Sequence, residues 1–260
     1  MSDTLNSLDR TIEGSFAGQV SSRRRFVGLA AASLGSLGLL GAAPRTAWAK
    51  GESTQKILNV AATAEVLATI VNTVGFTKGL GGDAVTTRNL AAAAREELLH
   101  FRALRSFGGK PAARRIWVPD AVFASREALL STLEVGDQIF VNAYLVATHA
   151  FGTRGQGDLA TIAAEFMGVE AVHRALARQS LGKLGNDRIF MKFDQVEMAP
   201  DAPNRGQRGF GNLDGAVRQL LQAGFGIGAK GASPGRFYDF DEVKKDTPND
   251  PDLNTRMPRA

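Results

Sequence analysis

Four long stretches of helix-forming residues, separated by glycine and proline, constrain the fold of this chain more than any other feature. Each stretch is roughly 25 residues, or about 37 Å of helix, and is rich in Ala, Leu, Val, Glu and Arg. Four helices of matched length predict an all-α four-helix bundle over residues 50–184. The predicted helices run from about Thr54 to Lys78, from Asp83 to Gly108, from Asp120 to Phe151 and from Asp158 to Gly182.

The connections between these helices differ in length. Short glycine-rich turns join the first helix to the second and the third to the fourth, whereas a proline-bounded stretch from Gly108 to Asp120 joins the second to the third. A long crossover between two tightly linked hairpins differs from a simple up-down-up-down bundle. Asp83 and Asp158 are the expected N-caps of the second and fourth helices.

The composition changes after Gly185. Pro, Gly, Asn and Asp recur in this segment, which predicts an irregular C-terminal extension over residues 185–260. We expect one short helix around Leu213–Ala223, and apolar residues such as Phe225 and Phe237 that pack the extension on the bundle. About a dozen residues at the end of the chain are expected to be disordered.

Two Glu-x-x-His motifs carry the chemical signal. Glu97 precedes His100 in the second helix, and Glu170 precedes His173 in the fourth. Residues three apart lie on one face of a helix, with Cβ atoms about 5–6 Å apart, so each motif can direct a carboxylate and an imidazole to one metal ion. Matching motifs in equivalent helices are a more specific signal than either motif alone.

The other two helices are expected to supply one inward carboxylate each. Glu65 is the only acidic residue of the first helix. In the third helix Glu134 lies near the middle on an apolar stripe, and Asp137, one turn further on, is the substitute. Four facing carboxylates would repel and raise one another's pKa, whereas two divalent cations would balance their charge. The pattern therefore predicts a dinuclear metal site.

The absence of cysteine excludes disulfides, thiolate ligands and iron–sulfur clusters. A ligand set of carboxylates and imidazoles favours iron, with manganese second. Several single-residue alternatives stay open. Each acid taken alone could be a surface residue, Glu96 could pair with His100, and Arg174 could either support a ligand or be solvated. His149 is interpreted as a capping or surface residue, and Tyr144 as a packing residue.

This pattern resembles the ferritin-like superfamily of di-iron and di-manganese carboxylate proteins, in which two helices give one Glu each and two give Glu-x-x-His. The resemblance covers about residues 54–182. It implies a ferritin-like four-helix bundle with a long crossover between helices two and three, and two bound ions of iron or manganese. The matching positions are Glu65, Glu97, His100, Glu134, Glu170 and His173.

Residues 1–49 have the organisation of an export signal. A basic run, Arg23 to Arg25, precedes an uncharged stretch from Phe26 to Ala43, and a small-x-small triplet ends at Ala49. Consecutive arginines before a glycine-diluted apolar stretch resemble a twin-arginine signal. We expect the twin-arginine translocase as export partner, cleavage near Ala49, and a periplasmic or extracellular mature protein. A retained membrane anchor is the alternative.

Two functions are expected from this resemblance. The first is a non-haem di-iron oxidoreductase that acts with O₂ or peroxide, as ferroxidases and peroxidases do. The second is a non-catalytic, metal-binding or stress-protective role in the cell envelope, similar to exported desiccation-related ferritin-like proteins. Outside the signal no stripe of Lys and Arg with interleaved aromatic residues remains, so no nucleic-acid partner is expected. A homodimer is left open.

Overall fold

The computed structural model describes residues 52–186, 209–250 and 253, and four long helices among them pack as a bundle. The predicted all-α bundle is confirmed, and apart from the start of the third helix its limits lie within a few residues of those predicted. The expected signal peptide and most of the last dozen residues, for which disorder is expected, lie outside the described residues. The bundle helices are α1 (Thr54–Thr77), α2 (Ala84–Ser106), α3 (Arg126–Thr153) and α4 (Gly157–Ser180).

Side-chain caps explain where three of these helices begin. Ser53 and Ser125 cap α1 and α3, and Asp83 caps α2 as expected. Each accepts a hydrogen bond from a backbone N–H in the first turn, which satisfies a donor that the helix itself leaves unpaired. The predicted cap of α4 is wrong, because Asp158 lies in the first turn and Gln156 occupies the N-cap position without a side-chain hydrogen bond.

The predicted crossover between α2 and α3 is present and contains β1 (Arg115–Pro119) followed by a 3-10 helix (Asp120–Phe123). Because this 3-10 helix occupies the residues after Pro119, α3 begins later than predicted. The extension folds back onto the crossover, and its two strands pair antiparallel with β1 in the order β2-β1-β3. The sequence indicated one short helix here and neither strand. The elements of the extension are α5 (Leu213–Gln222), β2 (Gly226–Ile227), β3 (Gly235–Asp239) and α6 (Phe240–Val243).

Aromatic and ionic contacts hold the extension against the rest of the molecule. Phe240 is fully buried, and its ring packs on Phe101 of α2 with the ring centroids 4.6 Å apart. Beside this pair, the guanidinium of Arg114 donates to both carboxylate oxygens of Asp241, at 2.7 and 2.5 Å. The extension therefore covers the crossover side of the bundle.

Helix α1 is apolar for most of its length. Among the described residues it is the one helix long and apolar enough to cross a membrane, but 83% of its most apolar window is buried inside the bundle, as expected for a core helix. Its one acidic residue, Glu65, is fully buried among these apolar side chains. Burial of an isolated ionised carboxylate costs free energy in such surroundings, so the groups that face Glu65 determine whether its carboxyl can be ionised.

Candidate metal centre

Five of the six predicted ligands lie together inside the bundle. Helix α1 contributes Glu65, α2 contributes Glu97 and His100, and α4 contributes Glu170 and His173. The three glutamates are 0% exposed, and the two histidines are 3% and 8% exposed. In both motifs the spacing of three residues places the carboxylate and the imidazole on the same, inner face of the helix.

The imidazole of His100 faces three carboxylates. Its Nδ1 atom is 3.7 Å from Oε2 of Glu65, 3.6 Å from Oε2 of Glu97 and 3.6 Å from Oε1 of Glu170. One ligand atom from each of these four residues lies within 4.8 Å of all the others. The four side chains surround one point, as ligands of a single ion do.

His173 faces the remaining oxygens of two of the same carboxylates. Its Nδ1 atom is 3.2 Å from Oε1 of Glu97 and 3.6 Å from Oε2 of Glu170. Glu97 and Glu170 therefore each present one oxygen to His100 and the other to His173. These two shared carboxylates therefore link two neighbouring positions, one beside each imidazole.

Most of the oxygen and nitrogen atoms of this cluster that could bind a metal ion are buried without hydrogen-bond partners. This is true of both oxygens of Glu97 and Glu170, of Oε2 of Glu65, and of Nδ1 of His100 and His173. Buried polar atoms are nearly always hydrogen-bonded, so their concentration at one place indicates a ligand-binding role. Atoms about 2.1 Å from one ion lie roughly 3–3.5 Å apart, close to the spacings observed. The residues fit a bound metal ion.

Helix α3 places a different carboxylate at the cluster from the one preferred on sequence grounds. The structure does not bring Glu134 into the group of Glu65, Glu97, His100 and Glu170, and its oxygens instead accept from Nη1 of Arg178 at 2.5 Å and Nζ of Lys183 at 2.7 Å. Asp137, the substitute, is 5% exposed and lines the same cavity as His173. The acid from α3 that faces the cluster is therefore Asp137.

Two further charged residues support the cluster from outside. Nε2 of His173 lies 2.7 Å from Oε2 of Glu96, and donation of that ring N–H to Glu96 fixes the tautomer in which Nδ1 is free to bind a metal. The sequence allows Glu96 to pair with His100, but in the structure its partner is His173. Arg174 is buried, which excludes the solvated alternative, and its positive charge acts on Asp137.

Aromatic side chains enclose the cluster on the His100 side. The hydroxyl of Tyr144 donates to Oε1 of Glu65. The ring of Phe166 stacks on His100 with centroids 3.9 Å apart and an interplanar angle of 26°, and it also meets Tyr144 edge to face. Tyr144 is thus a hydrogen-bond partner of a ligand in addition to its expected packing role, and Phe166 was not singled out from the sequence.

Burial and mutual repulsion change the protonation of the metal-free cluster. Burial, aided by the charge of Glu97, raises the pKa of Glu65 to about 8. Burial also raises the pKa of Asp137, and the charge of Glu170 adds to this effect. Burial alone would lower the pKa of His100, but the surrounding carboxylates, Glu65 foremost, raise it well above its usual value. The raised pKa values of Glu65 and Asp137 favour their protonated forms in the metal-free cluster, and metal ions must displace such protons on binding.

The model of the ferritin-like domain family matches residues 53–183, which include α1 to α4 and the crossover. The chain belongs to the ferritin-like domain family. This membership confirms the ferritin-like fold that the two Glu-x-x-His motifs implied. No curated protein and no solved structure matches the chain. The family and the buried Glu/His cluster together support a metal-binding ferritin-like protein.

His149 and Trp117 lie away from the ferritin-like cluster. His149 is exposed near the end of α3, in agreement with its interpretation as a surface histidine. Trp117 lies in β1, where its Nε1–H donates to the backbone carbonyl of Ala232 at 2.8 Å. Trp117 therefore fastens the crossover to the extension.

Proposed function

We propose that this ferritin-like protein binds two ions of iron or manganese and that the loaded centre reacts with peroxide or dioxygen. The observation that carries this proposal is the position of Glu97 and Glu170, each with one oxygen near His100 and the other near His173. Carboxylates placed in this way can bridge two ions and hold them close together. Oxygen and imidazole ligands favour iron and manganese over softer metals.

The ligands divide into two sets around the shared carboxylates. Glu65 and His100 would hold one ion, and Asp137 and His173 the other. A pair of iron ions supplies two electrons, the number needed to break the O–O bond of hydrogen peroxide and, with two protons, form two molecules of water. The side chains of the protein would hold the ions in place and hold the protons that the reaction uses.

The hydrogen bonds around the cluster provide two places where protons can be held. Tyr144 donates to Oε1 of Glu65, so its hydroxyl holds one proton beside a proposed ligand. On the opposite side His173 contacts Glu96, and the side chain of Glu96 is 32% exposed. Glu96 therefore connects a buried imidazole with solvent and can exchange protons there.

Export is part of the proposal and is supported by the sequence of residues 1–49. A twin-arginine route would deliver a folded protein that had already taken up its metal. Mass spectrometry of the exported protein is expected to find a mature chain that begins near Lys50. Recovery of exported protein that still begins at Met1 would contradict cleavage.

A second candidate function is a non-catalytic one, in which bound ions stabilise the fold during stress. The observation that favours it is the origin of the ligands, since Glu65, Asp137 and the two motifs come from all four bundle helices. Ions bound there would cross-link the whole bundle, and metal-binding energy would become folding energy.

Metal analysis followed by controlled oxidation tests these proposals. Purified native protein is expected to contain about two iron or manganese ions per chain, and fewer than one would contradict the dinuclear site. The variant His100→Ala should lose metal, whereas His149→Ala, which changes an exposed histidine, should retain it. After anaerobic loading with Fe(II), repeated turnover of added peroxide or dioxygen supports the redox function. Metal-dependent thermal stability without turnover supports the structural function.

A further inference from the structure

Two small cavities flank the metal-ligand cluster at opposite ends of the bundle. The cavity near the α1–α2 turn, which we call the His173 cavity, has a volume of about 30 Å³. The other, which we call the Tyr144 cavity, has a volume of about 10 Å³. A single water needs roughly 10–15 Å³ of such volume, so only the His173 cavity has room for a molecule with two heavy atoms.

The His173 cavity reaches ligand atoms directly. His173 and Asp137, both buried, line it at the cluster, whereas Asn89 and Ser180 are half-buried and form its outer rim. Between them the walls are mainly apolar, with Leu133 and other Leu and Ala side chains. The cavity thus links a polar rim near the surface with one of the two proposed metal positions.

The Tyr144 cavity does not reach ligand atoms. Its lining includes Tyr144 and Phe166 and otherwise consists of apolar side chains, and no proposed ligand is among them. Tyr144 is hydrogen-bonded to Glu65 and Phe166 is stacked on His100, so these two aromatic side chains separate the cavity from the cluster. The two metal positions therefore differ in access: the one beside His100 is enclosed, and the one beside His173 adjoins a cavity.

We propose that the His173 cavity is the path by which a small oxidant with an O–O bond, hydrogen peroxide or dioxygen, reaches the centre beside His173, and that its size excludes organic substrates. This inference rests on the proposed function and adds the route of the oxidant, the position of attack and the exclusion of organic substrates. Asn89 and Ser180 at the rim offer hydrogen bonds to a polar oxidant, and the apolar walls leave it weakly held on its way inwards.

Two matched substitutions on α4 test the path. Ala177 lines the His173 cavity and Ala163 lines the Tyr144 cavity, and both are buried. Nitric oxide, a probe of diatomic size, changes the spectrum when it binds to the Fe(II)-loaded protein. Ala177→Leu is expected to slow this change at least roughly tenfold. Ala163→Leu is expected to leave that rate nearly unchanged. Equal rates in the two variants would overturn the proposal.

A second pair of variants decides the matter if added volume in the core prevents folding. Asn89→Trp obstructs the half-buried rim, and Val85→Trp places the same side chain at a position of α2 that is 70% exposed and does not line the cavity. Slower nitric oxide binding in Asn89→Trp alone supports the path. Equal binding in both variants contradicts it.

The oxidant class is tested with the wild-type chain. Separate reactions of the Fe(II)-loaded protein with hydrogen peroxide and with dioxygen show which is the faster oxidant, and cumene hydroperoxide tests the size limit. Oxidation by cumene hydroperoxide at the rate seen with hydrogen peroxide would overturn the exclusion of organic substrates. A chain that retains neither iron nor manganese would instead overturn the proposed function, so the two failures are distinguishable.

Discussion

Nε2 of His173 lies 2.7 Å from Oε2 of Glu96, and this contact turns the other ring nitrogen towards the metal-ligand cluster. Glu96 comes directly before Glu97, a proposed ligand, in α2, whereas His173 lies in α4. One helix therefore provides both a proposed ligand and the group that orients a proposed ligand of another helix.

Replacement of Glu96 is expected to weaken metal binding beside His173. Loss of a carboxylate that orients a histidine ligand reduces metal affinity by about 10- to 100-fold, so Glu96→Ala should weaken the second of two Mn²⁺-binding steps by that factor in calorimetric titration. Glu165→Ala, which removes an exposed acid of α4, is the control. Unchanged Mn²⁺ binding in Glu96→Ala would show that His173 does not depend on this contact.

The variant Glu65→Gln is expected to make the metal-free protein less sensitive to alkaline pH. The pKa of Glu65 is about 8 in the folded protein and about 4.3 in an unfolded chain. Between these values the folded state keeps a proton that the unfolded state has lost, so the free energy of unfolding decreases as pH rises towards 8. Glutamine stays neutral throughout, which removes this loss.

Urea denaturation in the presence of a chelator measures the effect. From about pH 6 to about pH 8 the wild-type protein should lose about 2 kcal/mol more stability than Glu65→Gln. The same pH dependence in both proteins would mean that the Glu65 carboxyl is already ionised in the folded state at pH 6. Glu165→Gln, at an exposed position, should behave as the wild type does.

The variant Tyr144→Phe is expected to weaken metal binding beside His100. It removes the hydrogen bond to Glu65 while the ring can still pack on Phe166. A lost hydrogen bond of this kind corresponds to about a threefold to tenfold lower affinity. The chain has one other tyrosine, Tyr238, in β3, and Tyr238→Phe should leave Mn²⁺ affinity unchanged. Equal affinities in the two variants would contradict a role for Tyr144 at the site.

The variant Phe240→Ala is expected to loosen the extension and leave the metal centre intact. Phe240 is 0% exposed and packs on Phe101, so its truncation should cost about 3–5 kcal/mol. Limited proteolysis should then cut the extension much faster, while the Mn²⁺ content stays at the wild-type value. Leu221→Ala, at a position 47% exposed on α5, is the control. Unchanged proteolysis of Phe240→Ala would mean that other contacts hold the extension.

The sequence predicted what depends on local spacing. The distance of three residues from Glu97 to His100, and from Glu170 to His173, is enough to place each pair on one helix face. Apart from the start of α3, the glycine and proline residues predicted the helix ends to within a few residues, because they act on the backbone around them. The bundle and four of the cluster residues follow from these two local rules, and Glu65 follows because it is the only acidic residue of the first helix.

The features that the sequence did not predict depend on contacts between distant residues. Glu134 and Asp137 stand one turn apart on α3, so spacing alone does not distinguish them. In the structure Glu134 forms ion pairs with Arg178 and Lys183, which come later in the chain. Likewise β1 becomes a strand by pairing with residues more than 100 positions later. Such partners leave no periodic signal in the segments that they join.

The strand order β2-β1-β3 indicates that the folding unit includes the extension as well as the bundle. β1 lies within the segment matched by the family, residues 53–183, but both of its edges are paired with strands from the extension. A bundle cut off after residue 183 would leave β1 with two open edges, which are templates for pairing with other copies. The extension thus covers both edges of β1, and a fragment that keeps both edges paired has to include β3.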